Sequence, residues 1–473
     1  MNRLGMNRLA RGYAIFLMFS ALAYSFWFNL GGVVGAGIPL FGTTAITAAV
    51  VIITALRNRR DPDRRNPDRL RRRHPWLVYA YLALATLSLI WSAWPIATVL
   101  TLCLLGSSTL QAVWMSHRFS RTELLELFER ALAIVLTLSV LIELWVAAIL
   151  RHPLLPNFSD APADPDPHWF WVRGNLLDGV LSGGRIQGIV GNANLLAAVC
   201  VLALIVFATR LAHRAPHAPV RWVFAALALW LCLRAGSATM FVTLAALGLT
   251  ALLVLLLRRL STRRARVTLY AGIALAIAAA GTVFLLATDT ILGILGRSSD
   301  FTGRGEIWAQ VLARALESPV IGNGFSSPWV PWEPAFAGWI VDHGITVFHA
   351  HNMWLDIFFQ LGAIGVLIVA ALYLITGWRA WRFAVNRTDP AWSLAPLLFV
   401  LLLAIQGLTE STPLIFWGWM LITVLNTTLP RSPLQSVRHT RPNRGCGAGR
   451  GCGDRGVVRS RTPSGSAREQ RGH

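Results

Sequence analysis

Residues 131–150 read ALAIVLTLSVLIELWVAAIL, a stretch between Arg130 and Arg151 whose one charged residue is Glu143. About 20 apolar residues at 1.5 Å rise each cross a ~30 Å hydrocarbon layer, so this stretch predicts a transmembrane helix. The apolar residues are continuous rather than confined to one stripe, which excludes a surface helix of a soluble fold.

The same pattern recurs on both sides. Apolar runs near 13–30, 33–56, 76–93, 97–114, 188–209, 222–235, 237–257, 268–287, 352–376, 391–408 and 412–429 bring the expected number of spans to twelve. With 55% apolar and only 14% charged residues, the chain reads as an all-α integral membrane protein. Residues 1–430 form one polytopic domain with long extracytoplasmic loops at 151–187 and 288–351. The opening MNRLGMNRLARG precedes a run that is followed at once by others, so it reads as the start of an uncleaved first helix.

A net charge of +21 raises nucleic acid as a partner until the charges are placed. All 43 basic residues are Arg. With both termini cytoplasmic, 36 of them fall in cytoplasmic segments, six (Arg151, Arg173, Arg185, Arg297, Arg304, Arg314) fall outside, and Arg234 sits in or near the membrane. That asymmetry follows the positive-inside rule and predicts a multi-pass protein of the cell (cytoplasmic) membrane with no nucleic-acid role. The runs RNRRDPDRRNPDRLRRRHP (57–75) and RRLSTRRAR (258–266) read as topology determinants that contact anionic membrane lipids. The tail 431–473, rich in Gly, Arg, Ser and Pro, is expected to be a disordered basic cytoplasmic segment. Cys103, Cys200 and Cys232 lie in apolar runs and Cys446 and Cys452 in the tail, which gives no disulfide framework.

Long loops at one face of a rigid bundle are where chemistry concentrates. The first ends in SGGRIQGIVGNANLLA, which places Arg185 and Asn194 at the head of a span. The second carries GRGEIWAQVLARALES, an amphipathic helix stopped by Pro319, with Trp308, Val311, Leu312, Ala315 and Leu316 on one face. Lying on the membrane surface, it would hold Arg304 at headgroup depth. Gly322 and Gly324 in PVIGNGFSS allow either a backbone path close to a ligand or a plain turn.

The second loop closes on DHGITVFHAHNMWLDIFFQLGAIG, where His351 and Asn352 mark the passage from loop to helix and Asp356 lies a turn deeper. An ionisable residue at that depth is a functional candidate. A metal site from Asp342, His343, His349 and His351 fits no established spacing, and structural histidines at a helix start are the plain alternative. A neutral imidazole that takes a proton from a hydroxyl is the reading preferred for His351. Arg185 and Arg304 suit a bidentate grip on phosphate, so they could neutralise a departing diphosphate without a metal.

At these residues the chain resembles the O-antigen ligase and polymerase superfamily of membrane glycosyltransferases. The blocks occur in order: Arg185-x-x-Gly188 with Asn192 and Asn194; Gly303-Arg304 with Trp308, Pro319 and Gly322-x-Gly324; and His351-Asn352-x9-Gly362-x-x-Gly365. The resemblance covers mainly residues 185–430. It implies a metal-independent enzyme without cofactor that takes a glycan from a polyprenyl-diphosphate carrier and joins it to a hydroxyl of a glycan, lipid or protein acceptor. Carried over, Arg185 and Arg304 bind the diphosphate, His351 activates the acceptor, and Glu410 of GLTEST orients a base or acceptor. The family's Ser-Arg pair is replaced here by RAGSAT, with Arg234 three residues before Ser237. The competing class is a solute or bicarbonate-type transporter, which would show internal repeats and polar residues at mid-membrane; here the polar residues gather at one mouth.

Overall fold

The computed structural model describes residues 3–60, 74–157, 161–178, 184–214, 216–286, 304–386 and 390–430. The basic run 61–73, Arg297 and the tail 431–473 lie outside them, so the reading of the tail as disordered is not addressed. The described residues are helical almost throughout: α1 (Arg3–Leu22), α2 (Tyr24–Arg60), α3 (Trp76–Leu87), α4 (Pro95–Arg118), α5 (Arg121–Trp145), α6 (Ala193–Ala212), α7 (Ala218–Ala235), α8 (Ala238–Arg259), α9 (Arg263–Leu286), α10 (Arg304–Ala315), α11 (Met353–Val385), α12 (Pro390–Gln406) and α13 (Phe416–Thr428). Two short strands, Val341–Asp342 and Ile345–Thr346, form an antiparallel hairpin.

Seven of the described helical stretches are long and apolar enough to cross a membrane, and two shorter apolar helices, Trp76–Ile90 and Ser393–Gln406, accompany them. The protein is an all-α membrane protein. Its outer surface agrees with a lipid-facing role: Val34, Ile96, Leu249, Leu367 and Leu374 are each more than two-thirds exposed, an arrangement water would penalise and hydrocarbon does not.

Several element bounds differ from the sequence reading for local reasons. The run 131–150 belongs to a helix that begins ten residues earlier, because Ser120 and Glu123 close a capping box: Ser120 Oγ accepts from the Glu123 N–H and the Glu123 carboxylate accepts from the Ser120 N–H. The run 188–209 becomes helical only at Ala193, where the Asn192 side chain accepts from the Asn194 and Leu195 N–H groups. The expected break near residues 30–33 is a kink at Gly31 and Gly32 inside α2, and a separate break at Ala23 parts α1 from it.

α6 is the axis of the bundle. Ala197, Ala198, Ala203 and Val206 are fully buried, and their small side chains let α5, α7, α8 and α12 approach closely. α4 packs on α13, where the Trp419 indole donates to Thr109 Oγ1 at 2.9 Å, a buried polar pair satisfied within the bundle. At the turns joining α4 to α5 and α6 to α7, Glu126 and Glu129 pair with Arg11, Arg210 and Arg221.

The second loop has a core of its own. Ile307, Val311 and Ala315 of α10 pack with Trp94, Trp329, Phe336 and Phe359. Of the apolar face expected on α10, Val311 and Ala315 are buried while Leu312 and Leu316 are exposed. The helix ends at Ala315, four residues before Pro319.

Candidate functional site

The chain from Arg185 to Gly191 has little regular structure and is fixed by α5. Glu143, fully buried, accepts from the Gln187 and Gly188 N–H groups at 2.8 Å each, and Ser139 Oγ accepts from the Ile189 N–H at 3.3 Å. A buried carboxylate requires such donors, and here they come from the backbone two residues beyond Arg185. The Arg234 carbonyl accepts from the Ile186 N–H, and its guanidinium donates to the Asn175 carbonyl. Arg234 thereby braces the Arg185 segment from the end of α7.

Arg185 donates through Nε to the Ala235 carbonyl and through Nη2 to Asn194 Oδ1, both at 2.7 Å. Asn194, in the first turn of α6, passes the connection on: its Nδ2 donates to Glu410 Oε1 at 3.2 Å. Glu410 also accepts from Arg304 Nη2 at 2.9 Å on Oε1 and stands 3.2 Å from His351 Nδ1 through Oε2. Arg304 Nη1 reaches the Thr409 carbonyl at 2.8 Å. The residues expected at the site from three separate blocks, Arg185, Asn194, Arg304 and His351, therefore form one continuous hydrogen-bonded chain with Glu410 of GLTEST.

Its electrostatics follow from that arrangement. Burial alone would raise the Glu410 carboxyl, but the His351 ring bonded to it and the Arg304 guanidinium hold it down at about 2. In the tautomer with its proton on Nδ1, His351 donates to Glu410 and leaves Nε2 as an acceptor. The neighbouring His349 differs: burial pushes its imidazole down to about 3, and His351 acts in the same direction. Its Nδ1 accepts from the His351 N–H at 3.1 Å, a structural role.

His351 has φ +50°, in the left-handed region that non-glycine residues avoid. The turn is held from both sides. Asp356 accepts from the Ala350 N–H at 3.2 Å and from the Ser411 hydroxyl, and the Trp308 indole donates to the Ala350 carbonyl at 2.9 Å. Asp356, a candidate on burial alone, thus ties the residue before His351 to the residue after Glu410. Asn352 caps α11 by accepting from the Trp354 and Leu355 N–H groups.

Gly322 and Gly324 serve the same positioning. α11 is interrupted at Gly362 (φ +61°), and the segment 319–324 fits into the break. The Asn323 and Gly324 N–H groups bond to the Phe359 and Gln360 carbonyls, while Ala363 and Ile364 donate to Pro319 and Val320. A Cβ on Gly322 would lie 2.3 Å from the Gln360 carbonyl, and one on Gly362 2.3 Å from that of Val320. The paired glycines are there for close backbone approach.

Beside the site, an open groove of about 680 Å³ runs between α10 and α11, lined by Trp308, Leu312, Asn352, Trp354, Phe358 and Val366. Its walls are apolar except at the Asn352 end, next to His351.

The quartet Asp342, His343, His349 and His351 does not form one cluster. His349 and His351 group with Glu410, whereas His343 joins Asp166 and His168 of the first loop. Sequence reasoning missed Glu143 as an anchor of the Arg185 segment and left Asp356 without a partner. The one available signal was an ionisable residue inside an apolar run.

A family model described as O-antigen ligase matches residues 223–370. The chain is similar to an O-antigen ligase of Pseudomonas aeruginosa, 32% identical over 193 residues that make up 41% of this chain and 42% of that protein. It is also similar to the exopolysaccharide production protein ExoQ of Rhizobium meliloti, 32% identical over 108 residues, 21% of this chain and 23% of that protein. Each alignment spans less than half the length of the curated relative. The family match contains Arg304, Trp308, the Gly322 and Gly324 joint, His351 and Asn352. Through that segment the chain is similar to the O-antigen ligase family.

Proposed function

We propose that the protein is a metal-independent glycosyltransferase of cell-surface polysaccharide assembly. It transfers a glycan from a polyprenyl-diphosphate carrier to a hydroxyl of a glycan, lipid or protein acceptor at the outer face of the cytoplasmic membrane. The observation that carries this reading is the hydrogen-bonded chain in which the buried Glu410 meets Arg304 and His351 directly and Arg185 through Asn194.

The helix starts at Asn192 and Asn352 bring the positive ends of α6 and α11 to the Asn194 and His351 parts of the chain of hydrogen bonds. A diphosphate bound there meets the guanidinium groups of Arg185 and Arg304, a residue type suited to a bidentate grip on phosphate oxygens. The apolar groove between α10 and α11 is suited to the carrier's hydrocarbon chain.

In the transfer, His351 Nε2 takes the acceptor's hydroxyl proton as that oxygen bonds to the anomeric carbon. The bond from that carbon to the diphosphate oxygen breaks, and the electron pair leaves with the lipid diphosphate, whose charge the guanidinium groups offset. Glu410 stays ionised and fixes the ring. The reading includes twelve spans with both termini cytoplasmic, supported by the arginine asymmetry.

Purified protein in vesicles, given a lipid-diphosphate glycan and an acceptor, should release lipid diphosphate in step with glycan transfer. Uptake of a labelled solute with no such release would favour a transporter.

A further inference from the structure

The two long loops meet through a second set of ligating side chains that takes no part in the Glu410 chain. Asp166 caps the short turn Pro167–Trp169: its Oδ1 accepts from the His168 N–H at 2.8 Å and lies 2.6 Å from His168 Nδ1. From the other loop, His343 at the hairpin tip places its Nδ1 3.4 Å from Asp166 Oδ2. The two imidazoles stack with centroids 3.8 Å apart. One ligand atom from each of the three residues falls within 4.8 Å of the others.

We infer that Asp166, His168 and His343 bind a divalent transition metal, Zn2+ foremost, that staples the first loop to the hairpin of the second.

The donor chemistry selects the ion. Two imidazole nitrogens and one carboxylate oxygen, with water in the fourth position, suit tetrahedral zinc, whereas calcium and magnesium favour oxygen alone. His343 also carries an outer partner: its Nε2 lies 3.7 Å from Asp342 Oδ1, so a carboxylate stands on the ring edge away from the metal. The hairpin needs left-handed backbone at its tip, φ +50° at His343 and +75° at Gly344, where Asn and Gly are the usual residues. An imidazole there costs more than an ordinary turn residue, and it points at Asp166.

The backbones are fixed by the pairing of Val341 with Thr346 and by the capped turn, while the three side chains are exposed enough to rotate. Metal binding turns the stacked rings until their lone pairs converge. The hairpin leads within eight residues to His351, so an occupied site tethers the first loop to the segment that delivers the proposed base.

The test uses tag-free full-length protein in nanodiscs, stripped with a chelator and titrated with Zn2+ against a chromophoric indicator, with unfolding temperature followed in parallel. The wild type should bind one more equivalent of Zn2+ than either His168→Ala or His343→Ala, and Zn2+ should raise its unfolding temperature but not theirs. Asp342→Asn should keep that equivalent at about 10- to 100-fold lower affinity, and His152→Ala, in the same loop, should match the wild type. Equal zinc stoichiometry in wild type, His168→Ala and His343→Ala would overturn the proposal, as would a wild type that binds none.

Discussion

The His351 ring and the Glu410 carboxylate meet at 3.2 Å between Nδ1 and Oε2, although 59 residues separate them in sequence. The second carboxylate oxygen accepts from Arg304 and Asn194, so one side chain aligns the proposed base and fixes an arginine of the proposed anion site. Glu410→Gln keeps the shape and removes the charge. The reading predicts about a 100-fold or greater loss in turnover, the size of a misoriented general base, with donor affinity falling much less. Steady-state kinetics with the donor varied separates the two.

Glu143 acts on Arg185 through the backbone of Gln187 and Gly188. Glu143→Ala leaves two buried N–H groups without an acceptor and should destabilise the protein by about 2–4 kcal/mol, with weaker donor binding because the Arg185 segment loosens. Glu143→Gln keeps an acceptor oxygen and should recover most of both. Thermal unfolding and donor titration on the two variants check this.

The joint between α11 and the segment 319–324 predicts a sharp contrast among glycines. Gly362→Ala meets the Val320 carbonyl at 2.3 Å in a left-handed conformation, and should cost about 3 kcal/mol or more or prevent folding. Gly377→Ala, further along the same helix, meets only Val400 Cγ1 at 3.6 Å and should be neutral or mildly stabilising. Unfolding temperatures of both variants test the pair.

His349 supplies a pH signature. Its folded value of about 3 lies below the ordinary 6.5, so the neutral ring is favoured in the folded state. The stability this contributes is complete above 6.5 and is lost as pH falls toward 3. His349→Gln should flatten the fall in unfolding temperature across that window while leaving stability above pH 7 nearly unchanged.

How much of this was legible follows from the kind of contact involved. Arg185 and His351 stood out as polar residues at the edges of apolar runs and Arg304 as an arginine of the second long loop, the charge asymmetry assigned them to one face, and Glu410 came from the family resemblance. The partners of Glu143, and the Ala350 partner of Asp356, were hidden because they are backbone N–H groups of residues with no distinctive side chain, and Ser411 gave no sign that it faces Asp356. The glycines of the joint showed that close approach was needed but not what approached. Helical periodicity gave α10 an apolar arc without saying which edge faces inward, and Ile307 rather than Leu312 is buried.

The division of labour between arginines and histidine is tested most directly by measuring donor binding and lipid-diphosphate release on the same preparations of wild type, Arg304→Ala and His351→Ala. His351→Ala should bind the lipid-diphosphate glycan with near wild-type affinity and release no lipid diphosphate, while Arg304→Ala should lose affinity about tenfold or more. Wild-type release by His351→Ala would contradict the assignment of His351 as the base, and with it the site built around Glu410.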